Sequence, residues 1–526
     1  MSAVGTAPGV NLATAFLDRN VTEGRGARTA LTGPAGTCTY SELSALSNRV
    51  GNALLELGVQ AHERVLLALA DSVEFVATWY AVQKIGAVTA EVYTFLQPKD
   101  YQSYLDYTAA TVVVVDMVTL DRMREASAAS RARPRLLVVG AATSDLLEGE
   151  VSFDALVSRQ PDDLDAAPIA QDDIVIWKFT TGSTGTPKAC VHTARSPIFS
   201  HQAYARDVLD IRADDVVLPV PKLFFGYARD LAALFPFGVG AAGVIFADRT
   251  TPELVFELIA RHRPTILVNV PTMMQAMLDH PSAASQDLSC LRLCTSAGEA
   301  LPEPLHRRWD EAFGVEVLDG IGSSEAYHIY ISNRPGRVRP GTIGEVVPGY
   351  QAEVVDEGGH QLADGQIGRL WVRGESAAVM YWQDAAATAE TYADGLVMSG
   401  DLVERGDGGY FTYRGRADDL LKVGGIWVAP GEIERCLAGH PDVVECAVVA
   451  AERDRLTFGQ AWVVLRPAST TSADALRQFV REHLAPHKVP REVRIVAELP
   501  RTGSGKIDRA SLRRLASTGD TGGTEA

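Results

Sequence analysis

A short apolar segment that runs directly into a loop of glycine, serine and threonine is the feature that most restricts the fold of this chain. Residues 174–177 read Ile-Val-Ile-Trp, and residues 179–189 read Phe-Thr-Thr-Gly-Ser-Thr-Gly-Thr-Pro-Lys-Ala. The first segment predicts a buried strand. Glycines let backbone N–H groups of the second approach an anion closely, and Lys188 adds a mobile positive charge. The pattern predicts a strand followed by a loop for the phosphates of a nucleotide.

This loop differs from the common P-loop. That pattern has Gly directly before its Lys and Ser or Thr directly after it, whereas Pro187 precedes Lys188 here and Ala189 follows. The hydroxyl that would ligate magnesium is therefore missing. Taken alone, the loop also fits an ordinary surface turn, so the interpretation depends on what else the chain carries.

Apolar strand candidates alternate with amphipathic helices in the first part of the chain, which predicts an α/β fold with parallel sheets covered by helices. The candidates are 64–69, 111–115, 136–139, 174–177, 244–246, 266–270 and 291–294. After about residue 340, glycine-rich hairpins between short strands predict a small β unit. Beyond Gly415, the pattern predicts a compact α+β segment.

Composition restricts the class of protein. The chain has 526 residues, too many for one ordinary core, and a net charge of −17, which argues against nucleic acid and anionic membrane as partners. Its six cysteines form no C-x-x-C pair, as expected of reduced thiols. The N-terminal residues lack the pattern of a secretory signal. We expect a cytoplasmic enzyme, either a monomer or a homodimer.

Four further blocks follow in order along the chain. They are Ser296-Ala297-Gly298-Glu299; Asp319-Gly320-Ile321-Gly322-Ser323-Ser324-Glu325; Ser399-Gly400-Asp401 with Gly415-Arg416-Ala417-Asp418-Asp419; and Pro500-Arg501-Thr502-Gly503-Ser504-Gly505-Lys506. Together with residues 180–188, they resemble the adenylate-forming superfamily, which contains acyl- and aryl-CoA ligases, peptide-synthetase adenylation domains and firefly luciferase. The resemblance covers nearly the whole chain. Within the superfamily, residues 222–227, 320–329 and 422–428 are most similar to benzoate-CoA ligases.

The resemblance implies an ATP-dependent aryl acid–CoA ligase with ATP, Mg²⁺ and coenzyme A as cofactors and a small aryl acid as substrate. A carboxylate is a poor electrophile, so the acid is first converted to an acyl-adenylate and then to a thioester. Two anions meet in the first step, and the site must neutralise their charge. One alternative loads the phosphopantetheine of an acyl carrier protein instead of CoA. Two other classes are a luciferase-like adenylating oxygenase and a non-catalytic nucleotide-binding module.

The resemblance assigns ATP or AMP contacts to residues in the first four blocks. They are Thr180, Thr181, Gly182, Ser183, Thr184, Gly185, Gly298, Glu299, Ala300, Asp319, Gly320, Ile321, Gly322, Ser324, Asp401 and Arg416. Asp401 would accept hydrogen bonds from both ribose hydroxyls. Many relatives have an aromatic residue where Ile321 stands, so only apolar contact with adenine is expected there.

Catalytic roles fall on Lys506, Glu325 and Lys188. Lys506 would bridge the carboxylate and the α-phosphate, and Glu325 would be the magnesium ligand. The local pattern also allows Glu325 to lie in the first turn of a helix capped by Ser324. Such a helix would place His328 on the same face as Glu325.

The same resemblance divides the chain into an adenylation domain (residues 1–416), a mobile C-terminal domain with the catalytic lysine (417–515) and a disordered tail (516–526). Asp418 would be the hinge between the two domains. Gly424, Gly425 and Trp427 would line a tunnel for the pantetheine thiol, although the two glycines also fit a plain hairpin turn.

The aryl acid would bind in a flat apolar slot. Its lining is implied to be Phe225, Gly226, Tyr227, Ala297, His328 and Ile329. Benzoate-CoA ligases usually have Ala where Gly226 stands, which suggests room for a ring substituent. His328 could bond such a group, or be an ordinary core histidine. Arg229 and Asp230 depart from the uncharged residues expected there, and are either a surface ion pair or a polar contact to an unusual substrate.

Overall fold

The computed structural model describes residues 10–181, 187–417, 421–423, 426–428, 430–453, 456–502 and 507–518. These residues form two compact units. The first takes in the chain up to Leu301, Leu305–Gln351 and Val372–Val397, and the second takes in Pro302–Pro304, Ala352–Trp371 and the chain from Met398 onwards. These units do not divide the chain between residues 416 and 417, where the domain boundary was predicted. That domain boundary stays a prediction.

One sheet of the first unit has a parallel centre and antiparallel edges. Its strands lie in the order Glu345–Val346, Ile329–Ser332, Val317–Gly322, Leu293–Ser296, Ile266–Asn269, Val216–Pro219, Ala242–Val244, Thr29–Gly33 and Gly36–Thr39. The strands from Val317–Gly322 to Thr29–Gly33 run parallel to one another. Because helices return the chain between parallel strands, the carboxyl ends of these strands lie at one edge.

A second sheet of the same unit is parallel except at one edge, where its first two strands are antiparallel. Its strands lie in the order Met380–Tyr381, Pro187–Thr193, Ile174–Thr181, Val88–Glu91, Arg64–Ala68, Val112–Asp116, Arg135–Val139 and Glu150–Ser152. The strand predicted at 174–177 is confirmed and continues to Thr181, where it pairs antiparallel with Pro187–Thr193. The nucleotide loop thus connects two paired strands, and residues 182–186 within it lie outside the described residues.

Helices pack on these sheets through apolar faces. Those of at least seven residues are Tyr40–Glu56, Val73–Lys84, Pro98–Thr108, Leu120–Ala129, Pro252–His262, Pro271–Asp279, Glu303–Phe313 and Ala385–Thr391. Ser72 caps Val73–Lys84 by accepting the N–H of Phe75. Asp71 accepts the N–H of Leu223. Among the described residues, no helix combines the length and apolar character that crossing a bilayer requires.

Among the described residues, the second unit contains two larger sheets and one sheet of two strands. One runs Gln351–Val355, Ile367–Arg373 and Leu396–Arg405, and Phe411–Arg416 also pairs with Leu396–Arg405. The other contains Val443–Arg453, Leu456–Leu465 and Glu492–Ile495, packed with helices Pro430–Ala438, Ala473–His483 and Arg509–Thr518. Strands Leu421–Val423 and Ile426–Val428 pair with each other. The predicted small β unit and α+β segment are both confirmed.

Three details differ from the predictions. The strand expected at 244–246 is Ala242–Val244, and the strand expected at 291–294 is Leu293–Ser296, because the apolar run alone does not set the register with neighbouring strands. The C-terminal helix extends to Thr518 and so includes residues 516–518 of the predicted tail, and residues 519–526 lie outside the described residues.

Candidate active site

Residues 320–329 form a hairpin, not the helix start that Ser324 and Glu325 allowed. Val317–Gly322 pairs antiparallel with Ile329–Ser332, and the intervening turn holds Tyr327 at φ +73°. Glu325 and His328 therefore share no helix face, and that expectation is wrong. A side chain on Gly322 would lie 2.6 Å from the carbonyl oxygen of His328, so this glycine allows the strands to approach.

The turn is held from both sides. The phenol of Tyr381 donates a hydrogen bond to Oε1 of Glu325 at 2.7 Å, and the N–H of Ala378 donates to its carbonyl at 2.8 Å. Nε2 of His192 donates to the carbonyl of Ser324 at 2.7 Å. Burial and the nearby cation Lys178 lower the pKa of His192 to about 3, so its imidazole is neutral. These contacts fix the direction of the Glu325 carboxylate.

Lys188 lies beside Tyr381, the residue that donates a hydrogen bond to the Glu325 carboxylate. Tyr381 pairs with Cys190 on strand Pro187–Thr193, so its ring is 5.3 Å from Nζ of Lys188. The same Nζ lies 3.5 Å from Asp384. The structure thus groups Lys188 and Glu325, two residues predicted to be catalytic, around one tyrosine at the end of the nucleotide loop. Thr180 lies opposite Lys188 in the strand pair.

The predicted adenine contacts follow two neighbouring parallel strands. Ser296 pairs with Asp319, and residues 297–300 continue beyond the carboxyl end of Leu293–Ser296. Gly298 has φ +84°, a conformation that favours glycine. Burial raises the pKa of Asp319 well above its usual range. The Glu299 carboxylate accepts the N–H and hydroxyl of Thr272, so its side chain already has a partner.

The other predicted site residues in and near strand Val317–Gly322 differ in how deeply they are buried. Gly320 faces its partner strand, because a side chain there would lie 2.7 Å from the carbonyl of Ile331. Ile321 is half-buried, as are Ser324 and Gly322, whereas Ala297 and Ile329 are buried.

In the second unit, Asp401 and Arg416 are direct cross-strand neighbours. Nη1 of Arg416 lies 3.2 Å from Oδ1 of Asp401, and Ser399 donates to Oδ2 at 2.6 Å. The structure therefore brings together the two residues predicted to contact ribose and phosphate. A diol would compete with Ser399 and Arg416 for these carboxylate oxygens.

Several predicted site residues lie outside the described residues. They are Gly182, Ser183, Thr184, Gly185, Asp418, Gly424, Gly425 and Lys506. For Thr181 and Trp427 only the backbone is described, in strands Ile174–Thr181 and Ile426–Val428. Among the described residues, no group of three or more His, Cys, Asp or Glu side chains could hold a metal.

Two of the predicted aryl-binding residues, Tyr227 and His328, lie against each other. The ring centroid of His328 is 5.8 Å from that of Tyr227 and 4.9 Å from that of Phe235, and one of its ring nitrogens bonds to the backbone carbonyl of Tyr227. Burial lowers the pKa of His328 to about 3. The phenol of Tyr227 is hydrogen-bonded to Thr295 at 2.6 Å. Phe225 precedes the short helix Gly226–Arg229 and contacts the ring of Tyr93.

Gly226 does not provide room for a ring substituent. A side chain there would lie 2.6 Å from Nζ of Lys178 and 2.8 Å from its Cε. The expectation is wrong because the side chain of Lys178, which sequence reasoning missed, fills this space. Its only sequence signal was a lysine within the apolar run 174–179.

The surface ion pair considered for Arg229 and Asp230 is wrong, because both residues are buried. Arg229 is 2% exposed and Asp230 is 0% exposed. The guanidinium of Arg229 pairs with both Asp230 and Glu91, and Asp230 in turn pairs with Lys178 at 2.9 Å. The phenol of Tyr327 donates a hydrogen bond to Oδ1 of Asp230 at 3.2 Å. We call these five residues the charged cluster.

Comparisons with known proteins agree with this architecture. Residues 17–382 match the family model described as AMP-binding enzyme, and residues 432–506 match its C-terminal domain. The chain is 42% identical over 510 residues to the benzoate–CoA ligase of Thauera aromatica, an alignment that covers 96% of this chain and 95% of that protein.

Solved structures give the same result. A benzoate CoA ligase from Burkholderia xenovorans LB400 has 37% identity and a TM-score of 0.88, covering 96% of this chain and 100% of its own. The anthranilate CoA ligase AuaEII in complex with anthranoyl-AMP has 37% identity and a TM-score of 0.92, covering 98% and 99%. With the motifs, the sheet topology and the match over most of its length in agreement, the chain belongs to the AMP-binding enzymes, the adenylate-forming superfamily.

Proposed function

We propose that the protein is an ATP-dependent aryl carboxylic acid–CoA ligase. The acid's carboxylate oxygen attacks the α-phosphorus of ATP and pyrophosphate leaves. The thiol of coenzyme A then loses its proton and attacks the acyl carbon, and AMP leaves. The observation that carries the proposal is the grouping of Lys188, Tyr381 and Glu325 beside the loop that joins strands Ile174–Thr181 and Pro187–Thr193. Since ATP and coenzyme A are cytoplasmic substrates, we place the reaction in the cytoplasm.

The chain's residues position and neutralise charge. Glu325, oriented by Tyr381, would hold Mg²⁺, which neutralises phosphate charge when bound. Lys188 contributes a second cation beside the loop. Asp401 would orient the ribose, and Lys506 would neutralise the meeting carboxylate and α-phosphate. Asp418 would be the hinge between half-reactions, with Gly424, Gly425 and Trp427 along the path of the thiol.

Product analysis tests the proposed reaction. Wild-type protein incubated with aryl acid, ATP and Mg²⁺ is expected to convert coenzyme A to an aryl thioester, together with AMP and pyrophosphate, identified by mass spectrometry. If the thioester forms only on a holo carrier protein, the acceptor is that protein and not CoA. Acid-dependent oxygen uptake would instead support an oxygenase, and an absence of any acid-dependent pyrophosphate exchange would reject a ligase.

The role of Lys506 is tested by Lys506→Ala. We expect this variant to lose acid-dependent adenylation while still binding ATP, because the missing charge acts mainly in the transition state. Lys488→Ala is the matched control, since Lys488 pairs with Glu432 at 2.7 Å and has no proposed part in the reaction. Adenylation by Lys506→Ala at the wild-type rate would contradict the assignment.

A further inference from the structure

Lys178 carries a buried ammonium group next to residues assigned to the acid slot. Its side chain is 6% exposed. Nζ donates to Oδ2 of Asp230 at 2.9 Å and to the carbonyl of Tyr327 at 2.7 Å, the peptide group that precedes His328. An ammonium has three N–H donors, and the third has no oxygen partner among the described residues, because Nζ lies 3.5 Å from the ring centroid of Tyr327 on that side.

The ammonium stands where a side chain at residue 226 would stand. The Cβ of an alanine at that position would lie 2.6 Å from Nζ of Lys178, well inside contact distance. If residue 226 is part of the wall of the acid slot, as the proposed function implies, then Nζ replaces a methyl group in that wall. An apolar ring would then meet an ammonium group at this point.

His328 supplies a second polar group at the same place. It is 3% exposed, and one ring nitrogen bonds to the backbone carbonyl of Tyr227, whereas the other lacks a hydrogen-bond partner among the described residues. Because a neutral imidazole has one donor and one acceptor, the open nitrogen is the acceptor. Buried polar groups without partners are costly, so a ligand that satisfies them is favoured over one that does not.

The charge of the cluster restricts the ligand group. Lys178 and Arg229 contribute two cations, and Asp230 and Glu91 contribute two carboxylates, so the cluster is balanced. It has no excess positive charge for a second carboxylate on the ring. A hydroxyl or amino group is uncharged and can exchange hydrogen bonds with both Lys178 and His328.

A purely structural purpose would not require this arrangement. A buried ion pair costs desolvation energy, and apolar residues of similar volume are often as stabilising. An unsubstituted ring would also be bound better by an apolar wall than by an ammonium group. The position of Lys178 is therefore more consistent with recognition of a polar ligand than with packing alone.

We infer that Lys178 is a specificity-determining residue, which together with His328 selects a benzoic acid carrying a hydroxyl or amino group on its ring over benzoate itself. The inference deepens the proposed function and rests on it. No bond forms or breaks at Lys178, because it acts by hydrogen bonding to the substituent.

The first test compares acids on the wild-type enzyme. Pyrophosphate exchange is measured with benzoate, the three hydroxybenzoates and the three aminobenzoates. We expect kcat/KM for at least one substituted acid to exceed that for benzoate by about 10- to 100-fold, as for a hydrogen bond to a charged group. If benzoate is used at least as well as every substituted acid, the inference is overturned while the proposed function stands. If none of the acids supports exchange, the proposed function itself fails.

The second test uses Lys178→Met with Lys84→Met as its matched control. Lys84 is also buried and also has two oxygen partners, Asp18 at 2.9 Å and Asn48 at 2.6 Å, but it lies on the helix Val73–Lys84. We expect Lys178→Met to lower the ratio of kcat/KM for the preferred acid to that for benzoate by about tenfold or more. Lys84→Met is expected to keep the wild-type ratio.

A structural role for Lys178 gives a different result. It would lower kcat/KM for all acids by one factor and leave their ratio unchanged, which would overturn the inference. Should Lys178→Met fail to fold, Lys178→Gln is measured in its place, and the wild-type comparison of acids is decisive by itself.

Discussion

At the scale of single residues, the missing side chain of Gly226 makes room for the ammonium of Lys178. The two residues are 48 positions apart in the sequence, and neither is informative alone. Together they set the position of a charge that is also paired with Asp230. Burial lowers the pKa of Lys178 to about 8, which is the expected cost of removing an ammonium from water.

This coupling predicts the outcome of Gly226→Ala. The new Cβ would displace Nζ of Lys178 from its oxygen partners, so we expect the free energy of unfolding to fall by about 1–3 kcal/mol. The same substitution is expected to cost clearly less in a Lys178→Met background, because a flexible thioether can adjust. Urea unfolding of the four proteins in a double-mutant cycle measures the difference. Equal costs in both backgrounds would mean that the two residues do not compete for this space.

At the scale of secondary-structure elements, short strands place side chains with a precision that the turn alone would lack. Strand Met380–Tyr381 pairs with Pro187–Thr193, and this pairing carries the Tyr381 phenol to Glu325. On the other side of the hairpin that carries Glu325, His192 of strand Pro187–Thr193 donates a hydrogen bond to the carbonyl of Ser324. Strand Pro187–Thr193 thus provides both contacts to the hairpin of Glu325, one through the paired strand Met380–Tyr381 and one through His192.

This arrangement predicts that Tyr381→Phe weakens magnesium use. Removing the phenol leaves the Glu325 carboxylate less well oriented, so the Mg²⁺ concentration for half-maximal adenylation should rise by about tenfold or more. Tyr392→Phe is the control, because its ring is 5.2 Å from that of Tyr381 but its hydroxyl bonds with Cys190 and not with Glu325. An unchanged magnesium dependence in Tyr381→Phe would remove the orienting role.

At the scale of the whole molecule, three buried histidines make the first unit sensitive to acid. Burial lowers the pKa of His192, His201 and His328 to about 3 each. In the unfolded chain a histidine binds a proton below about pH 6.5. The unfolded state therefore binds more protons than the folded state between these values, so stability falls as the pH decreases through this window.

We expect the free energy of unfolding to be lower at pH 5.5 than at pH 7.5, by about 1 kcal/mol for each of the three histidines. Urea unfolding at the two pH values measures this difference. His201→Gln should remove part of the pH dependence, whereas His360→Gln should not, since the side chain of His360 is 83% exposed. A pH dependence that is unchanged in His201→Gln would contradict this explanation for that residue.

Much of the fold could be predicted because it follows local patterns. The apolar runs at 64–69, 111–115 and 174–177 are strands as expected. The expected helix at Glu325 failed because a capping serine before a glutamate also fits a turn, and pairing of Val317–Gly322 with Ile329–Ser332 decided between them. The surface ion pair, one of the two explanations for Arg229 and Asp230, failed because a charge that usually indicates exposure is buried here with its partners.

The sequence by itself determined the chemistry that the chain can perform, because ordered blocks of glycines, hydroxyls and charged residues specify a nucleotide site wherever they fold together. It also determined the alternation of strands and helices, which depends on neighbours a few positions apart. Only the tertiary structure decided that Lys178 fills the space at Gly226, that Arg229 pairs with Glu91, and that Tyr381 orients Glu325. These contacts join residues far apart in the chain, and burial of a charge depends on the partners that packing brings to it.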